Sequence, residues 1–134
     1  MSLARLAPLG RVSGTWFCSL QKGDAASQAI SPPPGFQIAD FSNDLEDFAD
    51  TAGLIENLDL VISVDTAVVH LAGTMGKPTW VLLPRVPDWR WLLDRTDSPW
   101  YPGLRLFRQA KTGNWESVIG QVAEALRDEV NRRR

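Results

Sequence analysis

Apolar and polar positions fall into blocks along this chain, and the block lengths predict its elements. In "SNDLEDFADTAGLIENLD" the apolar residues Leu45, Phe48, Ala52, Ile55 and Leu58 step by three and four, the spacing of one helix face. Asn43 with Glu46 three residues later fits a capping box at its start. "LVISV" and "TWVLL" are short continuous apolar runs rich in β-branched residues, which predicts two buried strands. Between them "TAVVHLAGTMG" reads as a short helix with Thr66 as N-cap and Gly76 just past its end, before Pro78. "LRLFRQ" is a further strand. "NWESVIGQVAEALRDEV" is an amphipathic helix capped by Asn114, with Trp115, Val118, Ile119, Val122, Leu126 and Val130 as its stripe. Upstream, "GTWFCSLQKG" predicts a strand at about Thr15 to Ser19, "DAASQAI" one or two helical turns, "SPPPG" a connection, and "FQIAD" a short strand. The stretch from Pro84 to Gly103 reads as an ordered loop with a helical turn at "WRWLLDR".

Strands alternating with helices call for an α/β fold with a mostly parallel sheet and helices on both faces. The 134 residues suit a single domain, 1–134, that buries roughly two thirds of its unfolded surface. The net charge of -2 gives no basic field for nucleic acid, and the terminal "NRRR" is a solvated tail. The one cysteine, Cys18, sits in an apolar run and reads as a small buried hydrophobe. No disulfide can form within the chain, which points to a reducing, cytoplasmic setting. No run approaches the roughly 18 apolar residues of a membrane span. "MSLARLAPLG" is too short and mixed for a signal peptide, and the chain reads as a piece of a longer protein. Four of the six tryptophans, Trp80, Trp89, Trp91 and Trp100, crowd one region; packing of Trp89, Trp91 and Trp100 into the sheet edge is the expected role.

The chemistry concentrates in "VISVDTAVVHLAGTMGKPTWVLLP". Ligands of open parallel sheets bind outside the carboxyl ends of the strands, where Asp65 and Thr66 stand. A helix beginning at once would turn the free N–H groups of Ala67 and Val68 outward, beside the Thr66 hydroxyl, toward phosphate oxygens. His70 lies four residues after Thr66, on the same helical face. Asp65 would repel a phosphate and suits a sugar hydroxyl better. The same residues also fit a plain helix cap and a satisfied core histidine. A second polar strand end, "SLQKG", offers Ser19, Gln21 and Lys22, and Lys22 is a residue type that neutralises a diphosphate. Neither a P-loop nor a dinucleotide fingerprint is present, nor a Cys/His cluster, an Asp-x-Asp pair or a nucleophile elbow. No metal site is therefore expected, and protein dipoles and cations would carry a bound diphosphate.

"DLVISVDTAVVHLAGTMGKPTWVLLP" resembles the C-terminal signature of glycosyltransferase family 9, the ADP-heptose:lipopolysaccharide heptosyltransferase group: Asp-Thr-Gly-x-x-His-x-Ala, then Gly-x-Pro and an apolar strand. From about Phe17 to Val130, with the Trp-rich segment, the chain is most similar to bacterial members linked to tetratricopeptide repeats. The resemblance implies a Rossmann-like three-layer domain, one half of a GT-B fold, that holds the nucleotide-sugar donor. Asp65, Thr66, the Ala67 backbone and His70 would then face the donor, with Lys22 as the cation of the first loop and His70 and Lys22 assisting catalysis. Ala67 departs from the family glycine: its methyl allows the N–H contact but restricts close approach of the donor. The resemblance further implies metal-independent hexosyl or heptosyl transfer with no cofactor beyond the nucleotide-sugar substrate. The partners it implies are an acceptor-binding N-terminal domain outside this chain, helical repeats, and a peripheral membrane association through the parent protein. The chain alone would bind but not turn over. In this setting "PDWRWLLDR" has a second role open to it, wrapping the base with Arg85 or Arg90 at phosphate. A non-catalytic interaction module attached to helical repeats is the competing expectation.

Overall fold

The computed structural model describes residues 1–92 and 95–134. The chain divides into two compact units, residues 1–46 with 115–134, and residues 47–114. Every described strand pair is parallel, as the block pattern predicts, and the strands form two sheets.

In the first unit β1 (Phe17–Ser19) pairs with β2 (Ile38–Asp40). A 3₁₀ segment, Gly23–Ala29, stands where helical turns are predicted. Phe17 stacks on Phe36 with ring centroids 4.9 Å apart. A second 3₁₀ segment, Leu3–Arg11, packs against the C-terminal helix (Trp115–Arg133). That helix buries Val118, Ile119, Val122 and Leu126 of the predicted stripe, together with Ala123 and Ala125. Cys18 is only half-buried; the partial burial still pushes its thiol pKa up, because a thiolate there would lose hydration.

The second unit is built on the sheet β3 (Val61–Val64), β4 (Thr79–Leu83), β5 (Leu104–Arg108), with β4 in the centre. Val61 lies beside Thr79, and Thr79 beside Leu104. All five β4 residues are buried, which accounts for its unbroken apolar run. Parallel neighbours need a crossover, and α2 (Ala67–Thr74) supplies it between β3 and β4. Its end is a Schellman turn: Lys77 N–H donates to Ala72 O and Gly76 N–H to Gly73 O, with Gly76 at φ +72° where other residues strain. Val69 of α2 packs with Val81, Leu83, Trp91, Leu104 and Leu106 into one buried cluster.

The helix before β3 starts later than the pattern predicts. Residues 42–44 form a 3₁₀ turn, and α1 runs over Phe48–Glu56. Its cap is Asp47, whose Oδ1 accepts from Asp50 N–H at 2.9 Å, in place of the Asn43 box. The competing aspartate sits one residue ahead of the helix in extended conformation, where a carboxylate best meets first-turn donors. Phe48 is consequently exposed, and Thr51 and Ile55 form the buried stripe. Lys77 Nζ donates to Glu56 O at 3.0 Å, satisfying a carbonyl at the end of α1.

The loop after β4 holds a short 3₁₀ turn at Trp89–Trp91; Leu93 and Asp94 of the predicted turn lie outside the described residues. Among the described residues no helix is long and apolar enough to cross a membrane.

Candidate functional site

β3 ends at Val64, and Asp65 and Thr66 bridge to α2 at the carboxyl edge of the sheet. Thr66 occupies the N-cap position in extended conformation, yet its side chain makes no cap hydrogen bond. Its hydroxyl lies 3.2 Å from Ser63 Oγ instead. Ser63 Oγ donates its single proton to Val64 O at 2.8 Å, so Thr66 is the donor in that contact. The first-turn N–H groups of α2 are thus left without a side-chain cap from Thr66. Val69 N–H donates to Thr66 O at 3.1 Å; the N–H groups of Ala67 and Val68, which an α-helix cannot satisfy internally, are available to an acceptor.

His70 is the chain's only histidine. It sits one turn into α2, and its two ring nitrogens have different neighbours. Nε2 lies 3.4 Å from Asp65 Oδ1, an ion pair when the ring is protonated. Nδ1 lies 3.1 Å from the hydroxyl of Tyr101. The ring stacks on Trp91 at 5.5 Å between centroids and meets Tyr101 edge-on at 5.7 Å. Both Asp65 and His70 keep about a third of their side-chain surface in solvent. The pair is therefore open to a ligand, and its floor, Trp91, is fully buried. The Trp91 indole N–H has no hydrogen-bond partner among the described residues.

The loop carrying Trp91 and Tyr101 is fastened to β5. Arg108 donates to the carbonyls of Trp91 and Arg95, the latter at 2.8 Å, and Leu106 N–H donates to Thr96 O. Arg95 donates to Asp97 at 2.8 Å, which holds that carboxyl below the usual range and raises the guanidinium. Trp89 and Trp100 do not pack into the sheet edge as predicted: they are exposed, and of the three loop tryptophans only Trp91 is buried. Trp100 Nε1 donates to Arg90 O at 2.9 Å, so its indole lies along the loop's own backbone. Arg90 pairs with Asp88 and lies over the Trp89 ring, while Arg85 donates to Ala110 O.

The predicted site residues divide between the two units. Asp65, Thr66, Ala67 and His70 stand together in the second. Ser19, Gln21 and Lys22 stand at the end of β1 in the first, where Gln21 N–H donates to Ser19 Oγ at 3.3 Å and Lys22 is exposed. The sequence reading misses Tyr101 and Ser63. Tyr101 is the only tyrosine, a faint signal inside a proline-rich loop, and Ser63 is hidden within an apolar strand pattern. Among the described residues no group of three or more His, Cys, Asp or Glu could hold a metal.

Comparison with known proteins bears on the same segment. The chain is 34% identical over 131 residues to protein FlbA of Caulobacter vibrioides, a match covering 90% of this chain and 21% of that protein. The chain thus spans about a fifth of the length of the curated relative it matches. No solved structure matches it. Residues 44–83, the run that carries Asp65, Thr66 and His70 on α1–β3–α2–β4, match glycosyltransferase family 9 (heptosyltransferase), the family that residues 59–84 resemble.

Proposed function

We propose that the β3–α2 junction is the donor site of a glycosyltransferase, binding the diphosphate and sugar of a nucleotide sugar. The observation that carries this is the helix start that Thr66 leaves uncapped at the carboxyl end of β3, inside the family-matched segment. The N–H groups of Ala67 and Val68 and the helix dipole would take phosphate oxygens. Thr66 would give its proton to the same phosphate by releasing Ser63. Asp65, part-exposed beside the imidazole, would accept from a sugar hydroxyl. As the glycosidic bond to the donor breaks, negative charge grows on the departing nucleoside diphosphate. Fixed dipoles already aimed at it cost no reorganisation in that transition state. The junction needs no metal in this scheme, and Ser19, Gln21 and Lys22 are not required by it. The acceptor-binding domain and its general base belong to parts of the parent protein outside this chain, so the chain binds without turning over.

Calorimetric titration with ADP, UDP, GDP and their sugar conjugates tests this reading. One diphosphate should bind in the micromolar range, unaffected by a chelator and weakened several-fold by Thr66→Ala. Binding that survives Thr66→Ala, or depends on added metal, would overturn it.

A further inference from the structure

We infer that Tyr101 is a positioning residue that holds the ring plane of His70 and donates to its Nδ1 in the tautomer that Asp65 selects, an inference that rests on the donor-site reading for its functional meaning. His70 Nε2 faces a carboxylate, and an ionised carboxylate only accepts. The proton of the neutral ring therefore belongs on Nε2. That leaves Nδ1 as a bare acceptor, and the Tyr101 hydroxyl at 3.1 Å is placed to donate to it. The ring is also fixed in plane, by stacking on buried Trp91 and by the edge of Tyr101.

The fold makes specific room for this tyrosine. A Cβ added to Gly73 would stand 2.7 Å from Tyr101 Cγ and 2.9 Å from Cδ1. The glycine one turn along from His70 thus lets the phenol ring lie flat against α2, with its hydroxyl at the imidazole. Tyr101 also packs against the buried cluster of the unit, so its ring is held from behind. His70 then presents a proton-bearing Nε2 at the edge it shares with Asp65, as a hydrogen-bond donor in both charge states. A ligand oxygen there meets a donor of fixed identity, with no tautomer exchange needed on binding.

With a single histidine, the imidazole resonances of the ¹⁵N-labelled 134-residue chain are unambiguous. In the folded chain with its ring neutral, Nε2 should carry the proton, and Nδ1 should resonate as an unprotonated nitrogen, moved modestly upfield by the hydrogen bond from Tyr101. Tyr101→Phe keeps the ring and removes only the hydroxyl. It should move Nδ1 downfield and weaken the diphosphate found by calorimetry by roughly three- to tenfold. A folded wild-type chain whose neutral ring carries its proton on Nδ1 overturns the assignment. So does a Tyr101→Phe spectrum that superimposes on it. If Tyr101→Phe does not fold, the wild-type spectrum decides, by which ring nitrogen carries the proton. If no nucleoside diphosphate binds the wild type, the donor-site reading fails while the Nδ1 measurement still judges Tyr101.

Discussion

α1 and α2 begin in the same unit, and their first turns are finished differently. At α1, Asp47 turns its carboxylate onto the Asp50 N–H at 2.9 Å. That helix start carries its own anion. At α2, the residue in the same position is Thr66, and its hydroxyl points back to Ser63. No side-chain anion caps that helix start: the adjacent Asp65 carboxylate faces His70 instead. A capped start is a stability device, because one orphan donor and the helix dipole are both satisfied internally. An uncapped start at a strand's carboxyl edge keeps those same interactions for something else. The difference lies in one side chain, Asp against Thr, and in what stands behind each.

Behind α2 stands Trp91, so the comparison is broken most severely there. Trp91→Ala should destabilise the chain by about 3–5 kcal/mol, read from the urea midpoint, because it empties the floor beneath His70. Exposed Trp89→Ala should stay within about 0.5 kcal/mol. The two helix starts themselves come next. Asp47→Ala should cost about 1 kcal/mol and leave nucleotide affinity unchanged. Thr66→Ala should cost only about 0.5 kcal/mol, since it removes no cap, yet weaken the diphosphate. Thr66→Asp makes α2 resemble α1: a stability gain of about 0.5 kcal/mol is expected, with affinity falling by more than about tenfold through charge repulsion. Calorimetry and denaturation on the same three variants give both readouts. An equal stability loss for Asp47→Ala and Thr66→Ala would erase the distinction.

The smallest effect belongs to a charge at neither helix start. Asp97 is held below the ordinary carboxylate range, chiefly by its hydrogen bond from Arg95. Its contribution is present above the unfolded pKa and fades as pH falls through the lowered folded value. The pair is exposed and screened by salt, so Asp97→Asn should leave the neutral-pH denaturation midpoint and the acid limb nearly unmoved. A clear acid destabilisation of the wild type that vanishes in this variant would contradict that.

Much of this was open to a reader of the residues. The runs at 61–64, 79–83 and 104–108 are strands because buried parallel strands need continuous apolar, β-branched segments, and no other element tolerates them as well. Thr66 is the residue before α2, and Gly76 turns its end, because each follows from local backbone chemistry. The family resemblance lay in the same short stretch. Other features were not decided by the pattern. The start of α1 at Phe48 was decided by Asp47 over Asn43, two local caps whose competition a pattern does not rank. The fates of the loop tryptophans were only partly readable: Trp91 is buried as expected but Trp89, two residues earlier, is exposed, since a proline-rich loop has no period to say which side faces in.

The site shows the same division. Local sequence placed Asp65, Thr66, Ala67 and His70 on one strand-to-helix junction, because spacing of one to five residues constrains geometry directly. It also singled out Ser19, Gln21 and Lys22 at a second strand end, which belongs to the other unit. Only the tertiary structure brought Tyr101, thirty-one residues along, to the Nδ1 of His70. That contact requires a parallel crossover, a loop tied down by Arg108, and a glycine at position 73 that leaves space for a phenol ring. Hydrogen-bond partners and packing space belong to the folded arrangement, whereas helix starts and strand periods are already present in neighbouring residues.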